Sequence, residues 1–315
     1  MKRFKKILLA CDGKTDASTA LTRAVDLARA NEGVLSVLEV VEEFPGQLEK
    51  WMAAKELKVL QESTLREATE RLEALLKSAT TKGVQVNTKA LVGKPFLEII
   101  REVLRNGHDL VIVSPGRHGK LESIFSGSTT MHLMRKCPCP VWAVKQTKKK
   151  QYHRILAAVD PSPFHSDHIK LSRKIMELAV SLAETEGAEL HVLHCWSSSF
   201  EKTLRNRSGL LPSEADEIVR KIKASHKSSL DSLVKEFELE RIPHKIHLRK
   251  GDPEQVIVDM AAKKRMELVV MGTVSRKGLS GFLIGNTAEK VLNQLACSVL
   301  AIKPDGFVSI VTLDD

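Results

Sequence analysis

The sequence predicts an α/β protein built as two tandem domains, each a five-stranded parallel sheet between helices. Three observations carry that expectation: a long internal duplication, a strict alternation of short apolar runs with helical segments, and a chain length that suits two domains. Phe4–Asp12 (FKKILLACD) returns as Tyr152–Asp160 (YHRILAAVD). Gly93-Lys94-Pro95 returns as Gly251-Asp252-Pro253, Asp109–Val113 as Glu267–Met271, and Cys139–Lys145 (CPVWAVK) as Cys297–Lys303 (CSVLAIK). The landmarks keep one order at offsets drifting only from 148 to 158 residues. Such a period is far too long for a solenoid unit and has the size of a whole domain.

In the first domain Ile7–Cys11 is a short apolar run suited to a strand buried on both faces. Leu21, Ala24, Val25 and Ala28 show helical spacing within 17–30, and Asn31-Glu32-Gly33 stops that helix. Val34–Val41 is a second strand, and a leucine stripe runs through a charged helix within 47–81. Val84–Leu91 is the third strand, Pro95–Arg105 a helix with proline in its first turn, and Leu110–Val113 the fourth strand. Thr129–Lys136 is a helix and Val141–Val144 the fifth strand. The second domain repeats the series with strands Ile155–Val159, Glu189–Cys195, His244–Leu248, Leu268–Met271 and Val299–Ile302. Its helices are Ile169–Thr185, one within 212–238, Pro253–Lys264 and Ala288–Leu295. Strands alternating with helices imply right-handed crossovers and helices on both faces. The expected boundaries are 1–147 and 152–303, with a basic connector at 148–151 and a tail at 304–315 that has room for an extra edge strand.

The net charge of +10 allows an acidic partner. Nine Phe, three Trp and one Tyr give few platforms for stacking bases, so nucleic acid is not the expected partner. No stretch approaches the roughly 20 apolar residues of a membrane helix. The apolar run after Lys5-Lys6 is shorter than the roughly 7–15 residues of a secretory core, so it reads as a strand. Five cysteines without framework spacing favour a reducing cytoplasm. Cys137 and Cys139 read as core thiols, with sulfurs expected roughly 6–7 Å apart on an extended segment. His191 and His194 fall on opposite faces of their strand, and the His165/His168 pair has no evident third metal ligand.

In sheets of this kind a ligand lies beyond the carboxyl ends of the strands. Asp12 and Asp160 each follow a first strand. A carboxylate there accepts hydrogen bonds from ribose hydroxyls or an adenine amine, or caps the next helix. After the fourth strand Gly116-Arg117-His118-Gly119 runs to Gly127-Ser128-Thr129 at a helix start. Glycines admit a phosphate close to the backbone, and a helix N-terminus offers free N–H groups.

The strand–Asp start, the glycine loop running to Gly127-Ser128 and the closing Pro140–Lys145 strand resemble the universal stress proteins, in their tandem class. Gly272–Lys290 and His132–Trp142 carry the same resemblance. It implies a Rossmann-like domain of the adenine-nucleotide alpha hydrolase type, twice. It also implies a cytoplasmic, non-enzymatic stress-response binding or regulatory module, with ATP as the expected nucleotide and Mg accompanying it. The family pattern is Gly-x-x-Gly, nine residues, then Gly-Ser/Thr. On the first half it points to Asp12, Val40, Gly116, Gly119, Gly127 and Ser128, with a spacer of seven residues and hence a tighter loop. On the second half it points to Asp160, Gly272, Gly285 and Asn286, with nine residues but Ser275 in place of the second glycine. Either half is a candidate nucleotide site. The alternatives are a slow ATPase or phosphotransferase and an adaptor with pockets that take no nucleotide, each acting with a regulatory protein partner. The halves are expected to dock as a pseudo-dimer through Val141–Val144 and Val299–Ile302, and a further homodimer is compatible with that arrangement.

Overall fold

The computed structural model describes residues 4–46, 50–115, 128–149, 151–162, 166–197, 201, 211–273 and 285–313. The first half contains β1 (Lys6–Cys11), α1 (Ser18–Asn31), β2 (Val34–Val41), α2 (Ala54–Lys77), β3 (Gln85–Val92), α3 (Pro95–Asn106), β4 (Leu110–Val113), α4 (Ser128–Lys136) and β5 (Val141–Ala143). The second contains β6 (Arg154–Val159), α5 (Ser166–Glu186), β7 (Glu189–Trp196), α6 (Pro212–Val234), β8 (His244–Lys250), α7 (Pro253–Lys263), β9 (Leu268–Gly272), α8 (Asn286–Leu292) and β10 (Ser298–Ile302).

Local chemistry sets the helix ends in both halves. Glu56 and Glu214 reach back to the backbone N–H of Ala53 and Leu211, which starts α2 and α6 alike. Pro95 and Pro253 sit in the first turns of α3 and α7, where a missing N–H costs nothing. Gly107 closes α3 in the left-handed conformation, at φ +64°.

The strands form one ten-stranded sheet in the order β3-β2-β1-β4-β5-β10-β9-β6-β7-β8. All pairings within each half are parallel. The exception is the junction, where β5 and β10 run antiparallel with Trp142 opposite Leu300. The two edges expected to meet therefore do so, strand against equivalent strand.

The central strands are buried along their length, whereas the outer strands β3 and β8 carry a polar, half-exposed pattern. An edge strand with charges on it resists pairing with other chains. Two cores result, one on each face, and each runs through both halves. Leu9, Leu21, Leu72, Trp142, Ile155, Met176, Leu230 and Leu300 belong to the first, under α1, α2, α5 and α6. Leu8, Ile100, Met134, Val141, Leu156, Met260, Val291 and Val299 belong to the second, under α3, α4, α7 and α8. The tail at 306–313 forms no strand; Val311 packs into the second core, and the Thr312 carbonyl lies 3.4 Å from Arg101 Nε.

Polar groups also cross the junction. Lys145 Nζ donates to the Ala296 carbonyl at 2.5 Å, beyond the end of α8. Lys303 Nζ donates to the carbonyls of Met134 at 2.6 Å and Arg135 at 3.2 Å, in the last turn of α4. Each half thus satisfies open carbonyls of the other with a lysine from its own last strand segment, where a cation also suits the helix dipole. Arg23 of α1 bonds Glu186 at the end of α5 at 2.8 Å, and its guanidinium lies 3.5 Å above the Tyr152 ring.

Lys303 is 2% exposed, and burial lowers its pKa from 10.5 to about 8. Below pH 8 both folded and unfolded chains carry the proton, so the desolvation penalty is constant there. Between pH 8 and 10.5 the unfolded chain binds more protons, so stability rises with pH. Denaturant unfolding across that window should show wild type gaining on the order of 3 kcal/mol relative to Lys303→Met. A pH-independent difference between the two proteins would show that Lys303 titrates normally.

Candidate functional site

In the first half the carboxyl ends of the neighbouring parallel strands β1, β2 and β4 lie side by side. Asp12 follows β1, and its Oδ1 accepts the backbone N–H of Lys14 at 3.0 Å and of Thr15 at 2.7 Å. Its Oδ2 accepts the Thr15 hydroxyl at 2.8 Å. The carboxylate therefore shapes the β1–α1 loop. An ionised carboxylate has about four lone-pair sites, so one acceptor position remains beyond these three bonds. Gly13 takes φ +66°, and a Cβ there would collide with the Glu39 carboxylate. Glu39 stands beside Cys11 in the sheet register, is 3% exposed and binds Arg71 of α2 through Nη2 at 2.5 Å and Nε at 3.1 Å. Burial first, then the nearby Glu39 and Asp12 charges, push the Cys11 thiol up to about 12. Val40 points to the other face and is buried in the core with Leu38.

Ser114, just past β4, donates its hydroxyl to the Asp16 carbonyl at 3.2 Å. Gln146, past β5, donates to Asp16 Oδ2 at 2.5 Å. Bonds from Ser18 and Gln146 hold the Asp16 carboxyl below its usual pKa. One aspartate thereby ties the loops after β1, β4 and β5 together. Ser128 is the first residue of α4, while Gly116, Gly119 and Gly127 lie outside the described residues.

The second half builds the equivalent crevice from other chemistry. Asp160 follows β6 and bonds His168 Nδ1 through Oδ2 at 3.2 Å. His194 occupies the place of Glu39, because it stands beside Val159 as Glu39 stands beside Cys11. Its Nδ1 lies 3.1 Å from the Val159 carbonyl and its Nε2 lies 2.8 Å from His226 Nδ1. A carbonyl only accepts, so in a neutral ring Nδ1 carries the proton and Nε2 accepts from His226. His226 of α6 thus takes the part that Arg71 of α2 plays in the first half, with the Trp196 ring centred 6.2 Å away. Cys195 takes the place of Val40; burial, then Asp160 and Asp252, raise its thiol to about 12.

Gly272 ends β9 beneath Leu171, whose Cδ2 would lie 2.6 Å from an added Cβ. The Gly285 N–H donates to the Thr273 carbonyl at 3.0 Å, and Asn286 is the exposed first residue of α8. Leu171 therefore covers Gly272, and the Gly285 N–H is already engaged.

Comparison with known proteins settles the kinship. The Universal stress protein family matches residues 3–145 and again 151–303. The chain belongs to the universal stress protein family. It is 31% identical to Universal stress protein E of Escherichia coli K12 over 319 residues, covering 100% of this chain and 99% of that one. It is 27% identical to the Universal stress protein E homolog of Haemophilus influenzae, covering 96% and 98%. Among solved structures, a functionally unknown protein of Pseudomonas aeruginosa PAO1 superposes with a TM-score of 0.72 at 25% identity, covering 97% and 95%. A universal stress protein from Archaeoglobus fulgidus shares the fold, with a TM-score of 0.59 at 19% identity, covering 94% and 97%.

The two Usp repeats compare directly through the sheet. Ile7 stands beside Leu110 as Ile155 stands beside Leu268, so Ser114 of the first repeat corresponds to Gly272 of the second. From there the same number of residues leads to Ser128 at the start of α4 and to Asn286 at the start of α8. The first loop is therefore no shorter than the second, contrary to the expectation from its seven-residue spacer; Gly116 and Gly119 sit two positions further along than Gly272 and Ser275, while Gly127 matches Gly285. Glu39, Arg71 and His226 escaped sequence reasoning, although a charge inside the apolar run Val34–Val41 was a usable signal.

His191 and His194 do face opposite sides. His191 bonds Glu189 and His247, each at 3.0 Å, and takes no part in the crevice. Cys137 and Cys139 are free thiols, as expected, but their sulfurs lie 3.5 Å apart because the Cys137–Cys139 segment turns instead of extending. His165 lies outside the described residues, and no group of His, Cys, Asp and Glu among the described residues is arranged to hold a metal.

Glu39 is the most exacting group in the first crevice, because Arg71 neutralises a nearly inaccessible carboxylate. Arg71→Ala should cost about 2–3 kcal/mol in urea unfolding, and adding Glu39→Gln should recover most of that loss. Equal stability of wild type and Arg71→Ala would mean that the pair contributes nothing.

Proposed function

We propose that this universal stress protein is a cytoplasmic, non-enzymatic regulatory binding module whose first repeat takes an adenine nucleotide, ATP with its Mg ion. The observation that weighs against the second repeat is the state of its own phosphate-side backbone. In the second repeat the Gly285 N–H is already bonded to Thr273, and Leu171 covers Gly272. Asp160 there is bonded to a histidine network. A seven-residue α8 adds little dipole behind that mouth. The set Asp160, Gly272, Gly285 and Asn286 fits a nucleotide poorly.

In the first repeat Asp12 keeps an acceptor position for a ribose hydroxyl, at the end of a loop held rigid by its own bonds. Val40 lies near the end of β2 with its side chain in the core, so its backbone is what it offers to the base side. Gly116, Gly119, Gly127 and Ser128 supply the phosphate loop, ahead of a nine-residue α4. Bound nucleotide would report through the tied loops after β1, β4 and β5 to a protein partner.

Calorimetry of the full chain with MgATP should give one nucleotide per chain. Gly119→Val should abolish binding, and Ser128→Asp should weaken it at least about tenfold by placing a carboxylate against phosphate. Asn286→Asp should leave it unchanged. Loss on Asn286→Asp alone would move the site to the second repeat, and no heat with ATP would overturn the reading. Phosphate release above that of Gly119→Val would make the protein an enzyme.

A further inference from the structure

A second pocket lies at the opposite end of the sheet, and the duplication supplies its control. At the amino-terminal ends of β1 and β2, against β3 and α3, an open cleft of about 430 Å³ is lined by Lys6, Ser36, Lys89, Glu102, Asn106 and His108. That volume lies in the range of small-molecule sites, roughly 300–1,000 Å³. Glu102 is 5% exposed, and its carboxylate accepts from Lys89 Nζ at 2.8 Å and Asn106 Nδ2 at 2.7 Å. Lys6 Nζ donates to the Asn106 carbonyl at 3.0 Å. His108 is 7% exposed, and neither ring nitrogen has a hydrogen-bond partner among the described residues. Burial depresses its pKa against the opposing pull of the Lys6 backbone and the Glu102 and Asp109 charges, and a neutral ring offers one donor and one acceptor.

The second repeat fills the same place. The register puts His191 where the first repeat has Ser36, and His247 where it has Lys89. Those two rings stack with centroids 5.1 Å apart, joined by a 3.0 Å contact between nitrogens. The Asp109 N–H bonds Lys6 as the Glu267 N–H bonds Arg154, so Met266 stands for His108. Met266 and Met260, the counterpart of Glu102 on α7, are both buried in the second core. One repeat therefore packs this corner with a histidine stack and methionine. The other replaces a ring by the smaller Ser36 and methionines by an acid and an imidazole with unmet hydrogen-bonding capacity. Leaving a buried polar group without a partner costs about 1–3 kcal/mol. A ligand hydroxyl, which both donates and accepts, would meet the imidazole, while Lys6 and Lys89 at the rim suit an anionic end.

The geometry points to this cleft as a binding site for a small hydroxylated organic anion, of the hydroxy-acid or polyol-phosphate class. It stands apart from the nucleotide reading, because it uses none of the same residues and lies at the other end of the strands.

The test is a titration of the full-length, histidine-labelled protein with D-glycerate and with glycerol 3-phosphate, followed through the His108 ring resonances by NMR. At least one of the two should move those resonances saturably at millimolar concentration or below. Ser36→His, which copies the second repeat, should abolish the response while the protein still melts within a few degrees of wild type. Lys6→Gln, at an exposed position, should weaken binding at least about tenfold and serves if Ser36→His does not fold. No saturable shift with either anion would overturn the site. So would a response to inorganic phosphate alone, or an undiminished response in both variants.

Discussion

The antiparallel pairing of β5 with β10 is the constraint on which the rest of the molecule depends. A five-stranded parallel sheet has two open edges, and the edge formed by Val141–Ala143 or by Ser298–Ile302 is almost wholly apolar. Left exposed, such an edge would pair with any available strand. Each repeat closes the other's edge, and the two outward edges that remain, β3 and β8, are the polar ones. Because the join is made by hydrogen-bonded strands, both faces of the sheet continue across it. That is why each of the two cores includes residues from both repeats.

The join is also specific. Lys303 reaches across to carbonyls at the end of α4 and Lys145 to the Ala296 carbonyl past α8, and Arg23 meets Glu186 beside Tyr152. These are directional contacts, and sliding the strands by one residue would break all of them while turning every side chain to the wrong face. Fusing the two copies in one chain leaves each free to diverge without losing its partner.

That divergence is visible at equivalent backbone places. The Glu39–Arg71 ion pair becomes the His194–His226 pair, and the cleft beside Ser36 and His108 becomes the His191–His247 stack, with Met266 at the place of His108. At the carboxyl end of the second repeat the Gly285 N–H is bonded to the Thr273 carbonyl and Gly272 lies beneath Leu171. The repeats have thus kept one scaffold and parted in chemistry at both ends of the strands, where buried polar groups of one repeat are matched by different buried groups in the other.

The sequence by itself determined the duplication, the strand and helix order, the two-faced burial of the sheet and the family, because each is written in local periodicity and in repeated motifs. Ile7–Cys11 and Leu110–Val113 are apolar at every position since both faces are covered, and Pro95 with Gly107 brackets α3 by backbone preference alone. The edge docking through Val141–Val144 and its repeat came from the family resemblance, not from the local pattern. Asp12 and Asp160 could be placed at strand ends, but not their partners. Only the tertiary structure decided that Arg71 neutralises Glu39, that the Cys137 and Cys139 sulfurs approach to 3.5 Å, that the tail packs without forming a strand, and that His108 is buried without a partner. These depend on side chains brought together from distant segments, and no local pattern encodes which helix residue will meet which strand. Charge pairing and cavity shape are settled by register and packing across the sheet, and so they appear only once the strands are in place.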